Sequence, residues 1–338
     1  MIRKINKKKV IIFLVLSILI MSPFIMAENN IIVEDYEGVK LKLDVPVKTI
    51  VCLHTSVAQI IMALNSFDRV VGLDKNSQDD LFPRPERELR IVGQNPYTPQ
   101  IEAIAELDPD LVIADTQLHD DQKKMIESFG IPVMIERTSD DERVLITIRN
   151  IAKIVEKEKK GENLISFISQ YRKLIKDRIV TLDEDYKKKV YWEWYKPFKT
   201  GSKGATVHSK IVQSGGVNIA ANAEGNYPTV SSEYVWESNP DVIIKQESRG
   251  ASRAEMKEAN DKLSSRTSLK STYAVQNDNV YVITWDIFSG LPSIVGDLYF
   301  AKWIQPELFK DIDPEEVYEE LLEEFFALEE FTTRVYTD

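Results

Sequence analysis

Residues 100–114 read QIEAIAELDPDLVIA, and this stretch decides the fold. Apolar residues at positions 101, 104 and 107 recur at helical spacing, which predicts a helix over Ile101–Leu107. Asp108-Pro109-Asp110 then ends the helix, because proline clashes with a continuing helix and pushes its neighbour toward extended geometry. The all-apolar run at 111–113 predicts a short strand that is buried on both faces.

The same pattern returns later in the chain, where residues 231–245 read SSEYVWESNPDVIIK. The two stretches agree in acidic, apolar and Pro-Asp positions, and each ends in an aliphatic trio. The matched pairs are Glu102 with Glu233, Ile104 with Val235, Glu106 with Glu237, Pro109 with Pro240, and Asp110 with Asp241. A solenoid would repeat at a shorter period, so this spacing predicts two similar lobes.

The bulk composition limits the classes of protein that are possible. A length of 338 residues allows two domains, and a hydrophobic content of 43% supports real cores. The net charge of −11 argues against a nucleic-acid partner, which would need a basic face. The single Cys52 excludes a disulfide framework and is interpreted as a small buried hydrophobe.

Residues 1–27 have the pattern of a secretory signal. A basic stretch precedes an apolar run over residues 10–21, and Ala27 offers a small residue before Glu28. An uncleaved anchor is the alternative, because residues 10–27 approach the minimum length of a membrane helix. Both interpretations predict an exported protein that acts outside the cytoplasmic membrane, periplasmic or at the cell surface, and that touches the membrane only through this segment or a membrane partner.

The remaining chain divides into three parts. Strands alternate with helices over 28–141, which predicts an α/β lobe with a parallel sheet. Residues 142–182 show only helical periodicity and predict a long, stiff connecting helix, in which Gly161 is an expected interruption. Residues 183–338 predict a second α/β lobe, within which 285–292 is expected to be a loop.

Several motifs, in this order and spacing, resemble one family. They are VPVKTIVCL at 45–53, AQIIMALNSFDRVVGLD at 58–74, IEAIAELDPDLVIA at 101–114, GGVNIAANAE at 215–224, VSSEYVWESNPDVII at 230–244 and VYVITWDIFSG at 280–290. The chain resembles the class III substrate-binding proteins of ABC importers, which serve vitamin B12, haem and ferric siderophores. The resemblance covers nearly the whole chain after residue 30, but no cysteine follows the apolar run, so a lipid anchor is not indicated.

The resemblance implies two Rossmann-like α/β lobes joined by a single long backbone helix, with a ligand cleft between them. It also implies a monomer that docks onto a permease dimer carrying an ATPase. In that family an acidic residue on each lobe pairs with permease arginines, and Glu102 and Glu233 match those positions. The plainer interpretation is that acids in a first helical turn simply favour the helix dipole.

Cleft residues are expected where strands end, because ligands of such sheets bind outside the carboxyl ends of the strands. The residues selected by this rule are His54, Tyr97, Trp192, Trp194, Tyr195, Phe198, Lys245, Arg249, Trp285, Asp286 and Phe288. So many aromatic residues suit a large flat or apolar chelate, namely a ferric siderophore, haem or corrinoid. Alternation along VYWEWY at 190–195 predicts that about half of these aromatics are core residues, and Lys245 and Arg249 are candidates for pairing with an anionic ligand.

Two alternatives remain open. His54, His119 and Asp286 follow different strands and could together bind a free transition metal ion, although no two histidines have the spacing of a compact helical motif. The chain could also be a metallocluster-assembly or enzyme-associated subunit with the same fold. The sequence has no G-x-S-x-G, Walker or H-E-x-x-H motif, which predicts a binding protein without enzymatic activity or a covalent cofactor.

Overall fold

Two α/β lobes, each built on a five-stranded sheet, make up this protein. The computed structural model describes residues 30–81, 87–138, 141–328 and 333–337. The predicted signal segment at 1–27 lies outside these residues. Within them, no helix combines the length and the apolar character needed to cross a membrane.

The first lobe opens with an antiparallel hairpin, followed by a sheet whose five strands are all parallel, in the order β5-β4-β3-β6-β7. Its strands are β1 (Asn30–Glu34), β2 (Lys40–Asp44), β3 (Ile50–Leu53), β4 (Val70–Leu73), β5 (Arg90–Ile91), β6 (Leu111–Asp115) and β7 (Val133–Glu136). Its helices are α1 (Thr55–Ala63), α2 (Lys75–Asp80), α3 (Ile101–Leu107) and α4 (Asp120–Glu127).

Two helices, α5 (Asp141–Ile154) and α6 (Glu158–Ile179), lead to the second lobe. Its strands are β8 (Lys188–Glu193), β9 (Gly216–Asn218), β10 (Val242–Glu247), β11 (Val280–Thr284) and β12 (Val335–Tyr336). Its helices are α7 (Thr206–Gln213), α8 (Ser232–Ser238), α9 (Arg253–Ser264), α10 (Tyr273–Gln276), α11 (Trp285–Phe288), α12 (Ser293–Ile304) and α13 (Pro314–Phe326). The sheet order is β12-β11-β10-β8-β9, with only β12 antiparallel to its neighbour.

The internal repeat corresponds to equivalent places in the two sheets. Strand order β4-β3-β6-β7 in the first lobe matches β9-β8-β10-β11 in the second, so β6 and β10 are counterparts. The α3 and α8 helices have seven residues each and end in left-handed residues, Asp108 at φ 43° and Asn239 at φ 44°. The two-lobe prediction is therefore confirmed.

The repeated Pro-Asp has a structural reason in both lobes. Asp110 Oδ2 accepts hydrogen bonds from the backbone N–H groups of Lys48 and Thr49, at 2.7 and 2.9 Å. Asp241 Oδ2 accepts one from the N–H of Lys189, at 2.7 Å. Each aspartate thus fixes the chain entering the neighbouring strand, β3 or β8, and satisfies backbone donors at the end of the sheet.

The connection differs in one detail from the prediction. The helical run breaks at Glu156, which has φ 54°, and Gly161 lies inside α6 instead of interrupting it. A Cβ atom on Gly161 would lie 2.5 Å from the Cβ of Ala152, so glycine permits α6 to cross α5 closely. The expected loop at 285–292 was also partly wrong, because Trp285–Phe288 forms one helical turn.

The C-terminal helix reaches back across the molecule. α13 packs against α12 of the second lobe and also against α1 of the first. Its Phe325 ring meets Phe167 of α6 edge-on, with the ring centroids 5.6 Å apart. The two lobes are therefore joined at the back by α6 and by α13, and the cleft lies on the other side.

Candidate functional site: the cleft between the lobes

Contacts between segments that follow strands show that the carboxyl edges of the two sheets face each other. Arg249, two residues after β10, has its Nε 3.5 Å from Oδ1 of Asp80, at the end of α2 in the first lobe. The backbone N–H of Leu291 donates to Oε1 of Gln59 in α1, at 3.3 Å. The cleft is thus bounded by the ends of strands from both lobes.

Buried polar atoms without hydrogen-bond partners among the described residues gather at these edges. They include Nε2 of His54, Oδ2 of Asp74, Oε1 of Gln246, Oγ1 of Thr284, and Nε and Nη1 of Arg249. Every one of these residues lies within two positions of the carboxyl end of a strand. Since buried polar groups in proteins are normally paired, atoms of this kind on both sides of the cleft mark a place where a ligand or solvent supplies partners.

A ladder of aromatic rings runs from the interior of the second lobe to its surface. Trp285 lies 5.4 Å from Phe288, Phe288 5.8 Å from Trp192, and Trp192 6.1 Å from Trp194, between ring centroids. At the surface, Trp194 meets both Tyr195 and Tyr227 at 4.8 Å. We call these six residues the aromatic ladder. Its middle rings, Phe288 and Trp192, are buried, and its most exposed rings are Tyr195 and Tyr227.

The predicted aromatics occupy very different depths. Trp192 and Phe288 are buried core residues, whereas Trp194 and Trp285 are half-buried and Tyr195 is 52% exposed. Tyr191 and Trp192 point into different cores, as the alternation along the strand predicts. Only the outer part of the ladder can therefore touch a ligand in this conformation.

Phe198 and Tyr97 lie apart from the aromatic ladder. Phe198 has φ 59°, and its N–H donates to the buried Glu193 at 2.8 Å, while its ring lies beneath Arg266. Tyr97 lies in the first lobe, 38% exposed, and its ring contacts no ladder ring in the described chain. Phe198 thus has a packing role.

Tyr227 was missed by the sequence analysis. It lies in the loop before α8, which an isolated bridge between Lys199 and Thr229 holds beside the end of β8. Nothing in its local sequence indicates that contact. Asp80 and Gln59, which contact the opposite lobe, were missed for the same reason.

The two predicted cations differ in their availability. Lys245 is buried, and its Nζ donates to the carbonyls of Trp194 and Gln246, at 2.6 and 3.0 Å. Burial lowers the pKa of Lys245, partly offset by Glu247. Lys245 therefore holds the ladder strand in place, whereas Arg249 keeps two nitrogens without hydrogen bonds.

The three residues predicted as ligands of a free transition metal ion do not form a metal site. His54 Nε2 lies 3.5 Å from Asp115 Oδ2, whereas His119 is exposed at the start of α4. Asp286 is buried in the second lobe, where it accepts the N–H of Gly250 and lies 3.8 Å from Arg334. No group of three or more His, Cys, Asp or Glu side chains within the described ranges could hold a metal ion.

His54 has a pKa shift at the cleft edge. Burial lowers its pKa below the ordinary 6.5, and the carboxylate of Asp115 only partly opposes this. The imidazole is therefore held neutral, with its Nε2 near the cleft.

Glu102 and Glu233 are both exposed on the first turns of their helices. Each helix precedes a strand and runs back along it, so the helix starts near the carboxyl edge of its sheet. The N–H of Glu233 and the hydroxyls of Ser231 and Ser232 lower the pKa of Glu233. Glu106, by contrast, pairs with Arg90 at 3.2 Å.

Two similar α/β lobes that face each other across a cleft, tied at the back by a long helix, define a two-lobed ligand-binding protein. A sequence model of the family described as periplasmic binding protein matches residues 50–286. This span is more than half of the chain, and the chain belongs to that family. The resemblance inferred from the motifs is confirmed.

Relatives agree with this assignment. YvrC of Bacillus subtilis, named an uncharacterized ABC transporter substrate-binding lipoprotein, is 26% identical over 272 residues, covering 78% of this chain and 82% of YvrC. A cobalamin-binding protein of Halobacterium salinarum is 25% identical over 213 residues, covering 62% of this chain and 57% of its own.

The molybdate-binding protein MolA of Haemophilus influenzae is 21% identical over 343 residues, covering 93% of this chain and 95% of MolA. The structure of MolA bound to molybdate superposes with a TM-score of 0.73 and 20% identity, covering 91% of this chain and 100% of that one. The structural likeness establishes the fold.

Proposed function

We propose that this chain is the exported solute-binding protein of an ABC importer and captures a metal chelate in the cleft between its lobes. The ligand class is a ferric siderophore, haem or corrinoid. The protein does no covalent chemistry; it delivers its ligand to a permease dimer that is driven by an ATPase.

The observation that carries this proposal is the aromatic ladder, whose outer members Trp194, Tyr195 and Tyr227 present ring faces at the carboxyl end of β8. Ring faces bind flat or apolar ligand surfaces well. Arg249 adds two guanidinium nitrogens that form no hydrogen bond and only long ion-pair contacts, to Asp80 and Asp286, and such donors suit carboxylates or other anionic groups on a chelate. One relative is named a cobalamin-binding protein, which agrees with a large chelate.

A small oxyanion is the competing ligand, because MolA is named a molybdate-binding protein. Arg249 and the neutral His54 can donate hydrogen bonds to an oxyanion. An oxyanion, however, gains nothing from contact with exposed aromatic ring faces, which carry negative partial charge. The balance of cleft chemistry therefore favours the chelate.

In this proposal, Glu102 and Glu233 dock the ligand-loaded protein onto the permease. Both carboxylates are exposed, both lie at matched positions of the repeat, and both lie at the cleft edge of their lobes. Two carboxylates facing two guanidinium clusters would set the orientation of docking through charge-assisted hydrogen bonds.

The test uses intrinsic fluorescence, because three of the five tryptophans, Trp192, Trp194 and Trp285, belong to the ladder. The full chain is titrated with cobalamin, haemin, several ferric siderophores and molybdate. One of the chelates should quench the signal saturably, and Tyr195→Ala should weaken its binding by about fivefold.

The matched control is Tyr186→Ala, which removes a tyrosine that is 65% exposed and lies outside the ladder. It should leave the affinity unchanged. Saturable binding of molybdate with no response to any chelate would refute the chelate assignment, and equal effects of the two tyrosine variants would refute the role of the ladder.

A further inference from the structure

A second concave site lies outside the cleft, where the connecting helix meets the second lobe. The end of α6 forms one wall, and the other is formed by the end of α7 and by α12. The groove has a volume of about 470 Å³ and includes Ile175, Lys176, Ile179, Val180, Lys210 and Asp297. This volume is within the range of small-molecule sites.

The α6 wall combines an apolar strip with positive charge. Ile179 lies four residues after Ile175 and three after Lys176, so it is a helical-surface neighbour of both. Val180 at the rim is 76% exposed, the largest value among the exposed large hydrophobic side chains of the described residues. An apolar rim of this kind marks a surface that gains from being covered.

The cations of the groove differ in how they are partnered. The lining contains Arg172, Lys176 and Lys210 together with one carboxylate, Asp297, and Arg172 interacts with another group of the chain. Lys210 is buried and already forms an ion pair with Asp297. Lys176 is exposed and forms no ion pair with any residue in the described parts of the chain. Charge complementarity therefore calls for an anion with its head group beside Lys176.

We propose that this groove binds a small amphipathic anion, a medium-chain carboxylate, with its head group at Lys176 and its tail along Ile175, Ile179 and Val180. The site is separate from the cleft, although the two are neighbours. The ammonium of Lys210 lies 5.5 Å from the centroid of Phe288, a member of the aromatic ladder.

Calorimetry on the full chain tests the proposal with octanoate as the probe. Octanoate should bind saturably, and octanol, which has the same tail without the charge, should bind at least about tenfold more weakly. The variant Lys176→Glu should weaken octanoate binding by about tenfold. Lys176 is exposed, so this variant is expected to fold, and a thermal melt verifies it.

Lys173→Glu is the matched control, because it makes the same charge change on the same helix, where Lys173 pairs with Asp177 outside the groove. It should leave octanoate binding within about twofold of the parent. Absence of saturable binding, equal binding of octanol, or equal effects of the two lysine variants would each overturn the proposal.

Discussion

The Arg249 guanidinium is shared between the two lobes. Its Nε lies 3.5 Å from Asp80 of the first lobe, and its Nη1 lies 4.0 Å from Asp286 of its own lobe. Asp80 is 49% exposed at its side chain, whereas Asp286 is 3% exposed. The contact with the first lobe is therefore the more solvent-exposed of the two, and if it breaks Arg249 still has Asp286 beside it.

Asp80→Asn should weaken the contact between the two lobes with little effect on the free energy of unfolding. Exposed ion pairs contribute at most about 1 kcal/mol, so the free energy of unfolding should change by no more than that. The radius of gyration of the ligand-free protein, measured by X-ray scattering, should rise. The control is Asp79→Asn, whose carboxylate pairs with Lys75 inside the first lobe; an equal rise there would contradict the prediction.

Gly290→Ala should destabilise the contact between the lobes. Gly290 has φ +77°, and an added Cβ would lie 2.6 Å from Oε1 of the buried Gln59, which already accepts the N–H of Leu291. Gly250→Ala is the matched control, because Gly250 has φ +71° and open space around the added atom.

Gly250→Ala should cost about 1–2 kcal/mol of backbone strain alone, and Gly290→Ala should cost more in urea unfolding. In a Gln59→Ala background the added cost of Gly290→Ala should be smaller than in the parent, because the clashing atom is absent. Equal losses of stability in the two glycine variants would contradict this prediction, because they would show that Gln59 moves away from the added Cβ atom without an energetic cost.

The double variant Glu102→Ala/Glu233→Ala should bind ligand normally but abolish uptake in cells that carry the cognate permease. The physical reason is that both carboxylates are exposed on the first turns of α3 and α8 and neither belongs to the ladder. Glu106→Ala/Glu237→Ala changes the same charge one helical turn later and should retain uptake. Loss of ligand binding in the first double variant would disprove the docking assignment.

The two repeated aspartates should differ in their contribution to stability. Asp110→Ala removes an acceptor for two backbone N–H groups, and Asp241→Ala removes an acceptor for one. Urea unfolding should therefore give a cost of about 1–2 kcal/mol for Asp110→Ala and about half of that for Asp241→Ala. The reverse order would mean that the second lobe depends more on its Pro-Asp turn.

His54 should make the protein less stable in mild acid. The pKa of His54 in the folded protein lies below 6.5. As the pH is lowered through 6.5, the unfolded chain therefore binds a proton that the folded chain does not bind. The free energy of unfolding decreases as the pH decreases. His54→Gln should reduce the difference between unfolding free energies at about pH 7.5 and about pH 5. An unchanged difference in His54→Gln would place the acid sensitivity elsewhere.

The sequence predicts the lobes well and the cleft only partly. Helical spacing and the Pro-Asp stop are local signals, so the helix Ile101–Leu107 follows from the pattern with its observed bounds. The break at Glu156 depends on how α5 crosses α6, which no local pattern records. Whether an aromatic residue at a strand end faces ligand or core depends on the opposite lobe. The sequence therefore predicts Trp192 and Phe288 as cleft residues although they are core, and it does not identify Tyr227.

The return of α13 onto α1 has a consequence for the order in which the chain can fold. The first lobe is complete in sequence by about residue 136, yet α1 lacks one of its packing partners until residues 314–326 have been made. A chain emerging from the ribosome therefore cannot finish its first lobe until nearly all of it is available. The last long helix thus couples completion of the first lobe to synthesis of nearly the whole chain.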